Sequence, residues 1–190
     1  MASGFSLTGT ARGLPFRSLG MLTGRPEHIK GFDYLGLRQY FLTFCTHSRR
    51  RCFVTDDAVA VVRTQIERAA GEQNIAVIAY CYMPDHAHFI VEGKAENSDC
   101  LQFIARGKQY SGYYYKAKIG HRLWQRYGYE HTLRNEEAAI SVARYILENP
   151  VRAGLVSRIG EYSYSGSAVY SIEQIVEAIQ LRDKWYRRSG

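Results

Sequence analysis

Two histidines separated by one residue are the first candidates for chemistry in this 190-residue sequence. His86 and His88 lie in the run 86–91, whose apolar and β-branched composition predicts a strand. Side chains alternate across a strand, so both imidazoles should face one side of the sheet. Two imidazoles placed in this way can bind one metal ion together. The alternative is a pair on a half-exposed sheet face, each hydrogen-bonded to water or to a neighbour.

A tyrosine and an asparagine form a second candidate pair at the end of a predicted helix. Tyr145 and Asn149 are four residues apart, so they share one helical face about one turn from each other. If this face lies over the strand that carries the histidines, Asn149 can offer its amide oxygen as a third metal ligand. Tyr145 would then lie beside whatever the metal binds. Taken alone, a tyrosine in a helix and an asparagine before proline are both routine structural features.

These residue types fit the cleavage of a phosphodiester. The oxygens of a phosphodiester repel an incoming anion, and a divalent cation neutralises that charge and orients the phosphate. A phenol is a poor nucleophile at neutral pH because its reference pKa is about 10, but a nearby metal and a fixed geometry favour attack. The product would be a covalent phosphotyrosine that can pass the strand to a new hydroxyl without ATP. Mixed nitrogen and oxygen ligation suits Mn²⁺ and tolerates Mg²⁺.

The elements that must position these residues follow the order strand, helix, strand, strand, helix, strand, helix. Strands are predicted at 40–46, 75–83, 86–91 and around 129–133. Helices are predicted from Thr55 to Gly71, over much of 97–118, from Asn135 to about Glu148, and after the capping box of Ser171 and Gln174. The third helix should end near Glu148 because residues before proline avoid the helical region.

This order predicts an α+β fold, a ferredoxin-like sandwich in which helices pack on one face of a largely antiparallel sheet. Residues 1–30 are rich in Gly, Ser, Thr and Arg and are expected to form a flexible leader. Residues 31–170 should form the domain that holds the candidate site, and residues 171–190 a C-terminal helical extension.

The positive charge of the chain points to a polyanionic partner. The formal net charge is +7, and lysines and arginines displace counterions from a phosphate backbone. Cations and aromatic residues alternate between 102 and 134, and aromatic faces stack on unpaired bases at about 1–3 kcal/mol each. We therefore expect single-stranded or hairpin nucleic acid as the ligand. The candidate contacts in this stretch are Arg106, Lys108, Lys116, Lys118, Arg122, Trp124 and Arg126.

Two other groups in the sequence compete with or extend these assignments. Arg49, Arg50 and Arg51 form a basic cluster after the first strand, which either faces solvent or holds a hairpin stem. The run 113–115 contains three tyrosines that are rival nucleophiles. They rank below Tyr145 because no amide ligand lies one turn away from them.

Several classes of protein are disfavoured. The four cysteines form no CxxC pair, which argues against a zinc ribbon and for reduced, intracellular thiols. The sequence has no apparent signal peptide and no apolar run near the ~20 residues that a membrane helix needs. We expect a cytoplasmic protein that has no membrane partner.

Several blocks of the sequence occur together in a known order. They are residues 40–43, 82–89, 123–126, 131–134, 145–156 and 162–167. In this order they resemble the single-tyrosine transposases of the HUH superfamily, most closely those associated with repetitive extragenic palindromes. The resemblance covers roughly residues 26–170. Ordered blocks of this kind are far more specific than any one motif.

The resemblance implies a ferredoxin-like fold with the histidine pair on a central strand. It also implies metal-dependent cleavage of single-stranded DNA near a hairpin, through a 5′-phosphotyrosine with a free 3′-hydroxyl. By position, His86 and His88 match the family's metal ligands and Tyr145 matches its nucleophile. Asn149 stands where insertion-sequence relatives carry Gln and the palindrome-associated group carries Asn. Such transposases act as homodimers or as monomers.

Two other functions stay open on the residues alone. One is a module that binds hairpin DNA or RNA without cutting it, descended from a transposase. The other is a metal hydrolase that uses the histidine pair and water, with Tyr145 as a bystander. Both differ from the transposase hypothesis in forming no covalent adduct.

Overall fold

Five strands form one antiparallel sheet in the computed structural model, which describes residues 34–126, 128–133 and 136–189. The elements are β1 Gln39–Cys45, α1 Asp56–Glu72, β2 Ile75–Met83, β3 His86–Gly93, α2 Cys100–Ile119, β4 Tyr129–Leu133, α3 Glu136–Arg152, β5 Ser165–Gly166 and α4 Ile172–Ser189. The strand order is β4-β1-β3-β2-β5, and every pairing is antiparallel. The predicted α+β class and antiparallel sheet are confirmed, and β3 with its two histidines is the central strand.

Helices cover both faces of this sheet. Leu42, Phe44 and Phe89 pack in one core with α1 and α2. Phe41 and Ile90 point to the other face, where they pack with α3 and α4. The expectation that helices cover one face therefore holds for α1 and α2 and is wrong for α3 and α4. The physical reason is that β3 is buried on both sides over residues 87–91, and such a strand needs a helical layer on each side.

Helix starts follow the predicted caps where the structure describes them. The Thr55 side chain accepts a hydrogen bond from the Ala58 backbone N–H, which fixes the start of α1. The Ser171 N–H donates to Gln174 Oε1 at 2.8 Å, and the Gln174 N–H donates to Ser171 Oγ at 3.2 Å. This reciprocal pair confirms the capping box of α4. The predicted N-cap Asn135 and the leader 1–30 lie outside the described residues.

Helix α3 continues through Pro150 and ends at Arg152, so the predicted end near Glu148 is wrong. Proline has no N–H, so the Ile146 carbonyl, four residues earlier, loses its usual helical partner. At the neighbouring position, the Asn149 amide nitrogen and the Arg152 guanidinium both donate to the Tyr145 carbonyl at 2.9 Å. These bonds tie the residues on either side of Pro150 to the preceding turn, and α3 remains one continuous helix.

The structure also describes the cysteines and the character of the helices. All four cysteines are free thiols, and burial raises the pKa of Cys81 to about 12. None of the helices in the described ranges combines the length and the apolar character that a membrane span requires.

Candidate metal and nucleophile site

Both candidate histidines lie on the α3 side of the central strand. His86 pairs with Cys45 and His88 with Thr43 in the β1–β3 ladder, and Ala87 between them points into the opposite core. The two Nε2 atoms are 3.1 Å apart. The strand therefore places both imidazoles on one face of the sheet, as predicted. Their Nε2 atoms converge on one point.

Each imidazole is held by an oxygen at its other nitrogen. The Asp85 carboxylate lies 2.6 Å from His86 Nδ1, and Thr43 Oγ1 lies 2.8 Å from His88 Nδ1. In the tautomer that donates Nδ1–H to these oxygens, both Nε2 atoms carry a lone pair that faces the shared point. Metal-binding histidines are commonly oriented by such partners. Sequence reasoning missed this role for Asp85 and for Thr43, the second of which is visible only from the register of β1 against β3.

The separation of the two nitrogens fits a single cation. Two nitrogen ligands at about 2.1 Å from one metal are about 3.0 Å apart at a right angle and about 3.4 Å apart at the tetrahedral angle. The 3.1 Å between the Nε2 atoms falls in this interval. Within the residues that the structure describes, no cluster of three or more His, Cys, Asp or Glu side chains could hold a metal. A third ligand would therefore come from another donor type, such as an amide oxygen.

Burial keeps both histidines in the form that a metal requires. It lowers the pKa of His86, although the hydrogen bond to Asp85 acts in the opposite direction. It lowers the pKa of His88 well below its ordinary value, with smaller contributions from the positive charges of His86, Arg152 and Arg49. Unprotonated imidazoles are the ligands that metals bind, so the site needs no proton release at neutral pH.

We expect the metal-free protein to lose stability as the pH falls below about 6.5, the reference pKa of an unfolded histidine. Since the folded pKa of His88 is depressed, its contribution is fully present above the unfolded pKa and is lost as the pH falls toward the folded pKa. Each such histidine contributes up to about 1.4 kcal/mol per pH unit. Chemical unfolding in EDTA across this range should show a weaker pH dependence for His88→Gln. The exposed His121→Gln should behave as wild type, and equal slopes for all three proteins would contradict this account.

Helix α3 brings the candidate nucleophile beside the histidines. The ring of Tyr145 is 5.8 Å from the ring of His88 and 6.1 Å from the ring of Phe41, between centroids. One turn later, Asn149 donates its amide nitrogen to the Tyr145 carbonyl, which leaves the amide oxygen as the atom that could bind a cation. The Arg152 guanidinium carbon lies 4.4 Å from the Tyr145 ring centroid. The sequence analysis gave Arg152 no role, although it follows Tyr145 by seven residues and this spacing puts both on one face of the helix.

Removing the Thr43 hydroxyl should weaken metal binding. Thr43→Val keeps the shape of the side chain and deletes the oxygen that orients His88, a change that typically costs about 10–100-fold in metal affinity. Titration of Mn²⁺ by electron paramagnetic resonance measures this. Thr64→Val is the matched control, because Thr64 is exposed and its hydroxyl donates only to the Ala60 carbonyl of its own helix. Equal affinity of Thr43→Val and wild type would show that this hydrogen bond does not orient the ligand.

The arginine cluster after β1 lies at the histidine end of the sheet. Arg49 Nε is 2.9 Å from Asp85 Oδ2, so this carboxylate bridges Arg49 and His86. Arg50 and Arg51 follow and are exposed. The structure therefore places this basic cluster next to the candidate metal ligands.

The predicted contacts on α2 lie on the opposite face of the sheet, because α2 packs on α1. Several are engaged within the protein. Arg106 pairs with Glu72, Lys118 pairs with Asp57, and the Lys108 ammonium donates to the Gln125 and Arg126 carbonyls. Burial lowers the pKa of Lys108 to about 8. Lys116, Arg122 and Arg126 are exposed.

Trp124 belongs to the core and not to a stacking surface. It is only 5% exposed, and its indole N–H donates to Ser111 Oγ at 2.8 Å. Its ring packs between Phe44 and Phe53. The exposed aromatic side chains of α2 that could meet a base are Tyr113, which is 70% exposed, and Tyr114, which is 41% exposed.

Comparison with known proteins shows the family and the fold of the chain. Residues 36–149 match the family described as Transposase IS200 like. Over 138 residues the chain is 25% identical to a Haemophilus influenzae protein named as a REP-associated tyrosine transposase. The alignment covers 66% of this chain and 77% of that protein. A solved structure of a REP-associated tyrosine transposase bound to a REP hairpin aligns with a TM-score of 0.60 at 22% identity, covering 70% of this chain and 79% of that one. The structural likeness establishes the shared fold.

Proposed function

Because the chain belongs to the IS200-like transposase family, we propose that it cleaves and rejoins single-stranded DNA at hairpins, such as those formed by palindromic repeats. The observation that supports this most is the convergence of three side chains. The Tyr145 ring lies 5.8 Å from the His88 ring, and His88 Nε2 lies 3.1 Å from His86 Nε2. The related protein in the solved structure is itself bound to a REP hairpin.

His86, His88 and Asn149 are the proposed metal ligands. The 3.1 Å distance between the two Nε2 atoms supports both histidines as ligands of one metal, and so does the lowered pKa of each imidazole. A Mg²⁺ or Mn²⁺ ion held there would neutralise the charge on the scissile phosphate and orient it. Asp85 and Thr43 would keep the imidazoles in the correct tautomer.

Tyr145 is the proposed nucleophile of a two-step strand transfer. Its phenol oxygen attacks the phosphorus and gives up its proton, while the bond from phosphorus to the 3′ oxygen breaks and that oxygen gains a proton. The protein then holds a 5′-phosphotyrosine, and the DNA carries a free 3′-hydroxyl. In the second step a 3′-hydroxyl attacks the same phosphorus, and Tyr145 leaves. The number of phosphodiester bonds is conserved, so no external energy source is needed.

Two surfaces are proposed to bind the DNA. Arg49, Arg50 and Arg51 lie at the histidine end of the sheet, where the scissile phosphate must bind, so we assign them to the DNA next to the cleavage position. On the other side, Lys116, Arg122 and Arg126 are proposed to hold the hairpin stem or a flanking strand. Arg106, Lys108, Lys118 and Arg122 have partners within the protein and would have to exchange them to contact DNA. We propose that the protein acts in the bacterial cytoplasm on chromosomal DNA, as a monomer or homodimer.

Incubation with labelled single-stranded hairpin oligonucleotides and Mn²⁺ tests this function. We expect a protein–DNA adduct that resists denaturant, requires the divalent ion and is absent in EDTA. A gel shift without any product would indicate a binding module. Cleavage without an adduct would indicate a hydrolase that uses water. Either of these two results would contradict the proposed function.

A further inference from the structure

The C-terminal end of α3 carries an arginine to which the sequence analysis assigns no role. Arg152 lies three residues beyond the family match, which ends at 149. Its guanidinium donates to the Tyr145 carbonyl at 2.9 Å and places its carbon 4.4 Å from the Tyr145 ring centroid. One side chain thus contacts both the backbone and the ring of the proposed nucleophile.

The Tyr145 carbonyl is a shared acceptor at this end of α3. It accepts hydrogen bonds from the side chains of Asn149 and Arg152, each at 2.9 Å. Together with the contact to the ring, this hydrogen bond anchors the Arg152 guanidinium over the phenol ring.

The anchored guanidinium keeps unused hydrogen-bonding capacity. An arginine has five N–H donors in a planar fork that matches phosphate oxygens. One N–H is used on the Tyr145 carbonyl, and the Glu148 carboxylate oxygen is 4.0 Å away, at the limit of an ion pair. The Arg152 side chain is 48% exposed, so its remaining edge is open to a ligand. Its charge also reaches the metal-ligand pair, where it contributes to the lowered pKa of His88.

We propose that Arg152 is a catalytic residue that binds the phosphate transferred to Tyr145, and that it holds the phenol ring in position before attack. This proposal rests on the proposed function. The phosphate on the phenol oxygen would lie next to a guanidinium that already covers the ring. Arg152 would stabilise the negative charge that builds on the phosphate oxygens as Tyr145 attacks, in addition to whatever a metal supplies.

The test compares rates of adduct formation at saturating hairpin DNA and Mn²⁺. Arg152→Ala should slow adduct formation by about a hundredfold to a thousandfold, with little change in the DNA concentration at half-saturation. Arg152→Lys should recover part of this loss, because it keeps the charge and loses the planar fork. Added guanidinium at millimolar concentration should speed the Arg152→Ala protein and leave wild type unchanged. The control is Arg158→Ala, since Arg158 is 82% exposed and pairs with Glu161.

The outcomes separate the two levels of the proposal. If wild type forms an adduct and Arg152→Ala matches its rate, the assignment of Arg152 is overturned and the proposed function stands. If Arg152→Ala loses activity only in proportion to a lowered folded fraction, without rescue by guanidinium, Arg152 serves only the structure of α3 and the assignment is also overturned. If wild type forms no adduct on any hairpin, the proposed function fails, and the role of Arg152 fails with it.

Discussion

Tyr145→Phe should abolish the covalent protein–DNA adduct while the protein stays folded and binds DNA. Phenylalanine keeps the ring between His88, Phe41 and Arg152 and removes only the hydroxyl. We expect the free energy of unfolding to change by no more than about 1.5 kcal/mol, the usual range for one hydrogen bond. Adduct formation should fall below detection, because the variant lacks the phenol oxygen that would attack the phosphate. Denaturing gels with a labelled hairpin measure the adduct, and gel shift measures DNA binding.

Tyr113→Phe is the matched control for the loss of a tyrosine hydroxyl. Tyr113 lies on α2, on the face of the sheet opposite the histidines, and is strongly exposed. Its variant should form the adduct at the wild-type rate. Persistence of the adduct in Tyr145→Phe, or its loss in Tyr113→Phe, would show that the nucleophile has been misassigned.

His86→Ala and His88→Ala should each remove metal-dependent cleavage. Either change takes away one of two converging Nε2 atoms, so a cation loses half of its imidazole ligands. Loss of an orienting partner alone costs about 10–100-fold in metal affinity, so loss of a ligand should cost at least about a hundredfold. Mn²⁺ titration and the rate of hairpin cleavage are the two measurements.

The two histidine variants should differ in stability. His88 is 5% exposed and hydrogen-bonded to Thr43, so His88→Ala leaves a buried cavity and should also lower the melting temperature. His86 is less buried, and His86→Ala should be closer to wild type in stability. His121→Ala, in an exposed loop, controls for the loss of a histidine. Full cleavage by His86→Ala under subsaturating Mn²⁺ would refute the ligand assignment.

The strands, helices and histidine geometry could be predicted from local sequence because local rules decide them. Alternation in a strand fixes that His86 and His88 share a face, and the capping box fixes where α4 begins. Tyr145 and Asn149 are four residues apart, and this spacing puts them on one side of α3. None of these inferences requires knowledge of what lies far along the chain.

Sequence reasoning failed where distant parts of the chain decide the outcome. The spacing of cations along α2 does not reveal which sheet face the helix covers, and α2 lies opposite the histidines. Trp124 has the composition of a stacking residue, but Ser111 and the rings of Phe44 and Phe53 enclose it. The rule that helices end before proline failed at Pro150, where α3 continues to Arg152 and the Asn149 and Arg152 side chains bond to the Tyr145 carbonyl.

The same long-range contacts explain why the smaller parts of the site went unnoticed. Thr43 meets His88 only through the β1–β3 register, and Arg49 meets Asp85 only because the end of β1 lies beside the start of β3. Asp85, directly before His86, was within reach of sequence reasoning, since a carboxylate next to a candidate ligand histidine is a common orienting partner. Arg152 required knowledge that α3 continues through Pro150.

Mass spectrometry of the trapped adduct tests the central claim most directly. The protein is incubated with a hairpin oligonucleotide and Mn²⁺, denatured, and digested with protease and nuclease, and the peptide that carries a nucleotide remnant is sequenced. We expect the 5′-phosphate on Tyr145 and no modified peptide when EDTA replaces Mn²⁺. A remnant on Tyr113, Tyr114 or any other residue, or cleaved DNA with no modified peptide, would contradict the account.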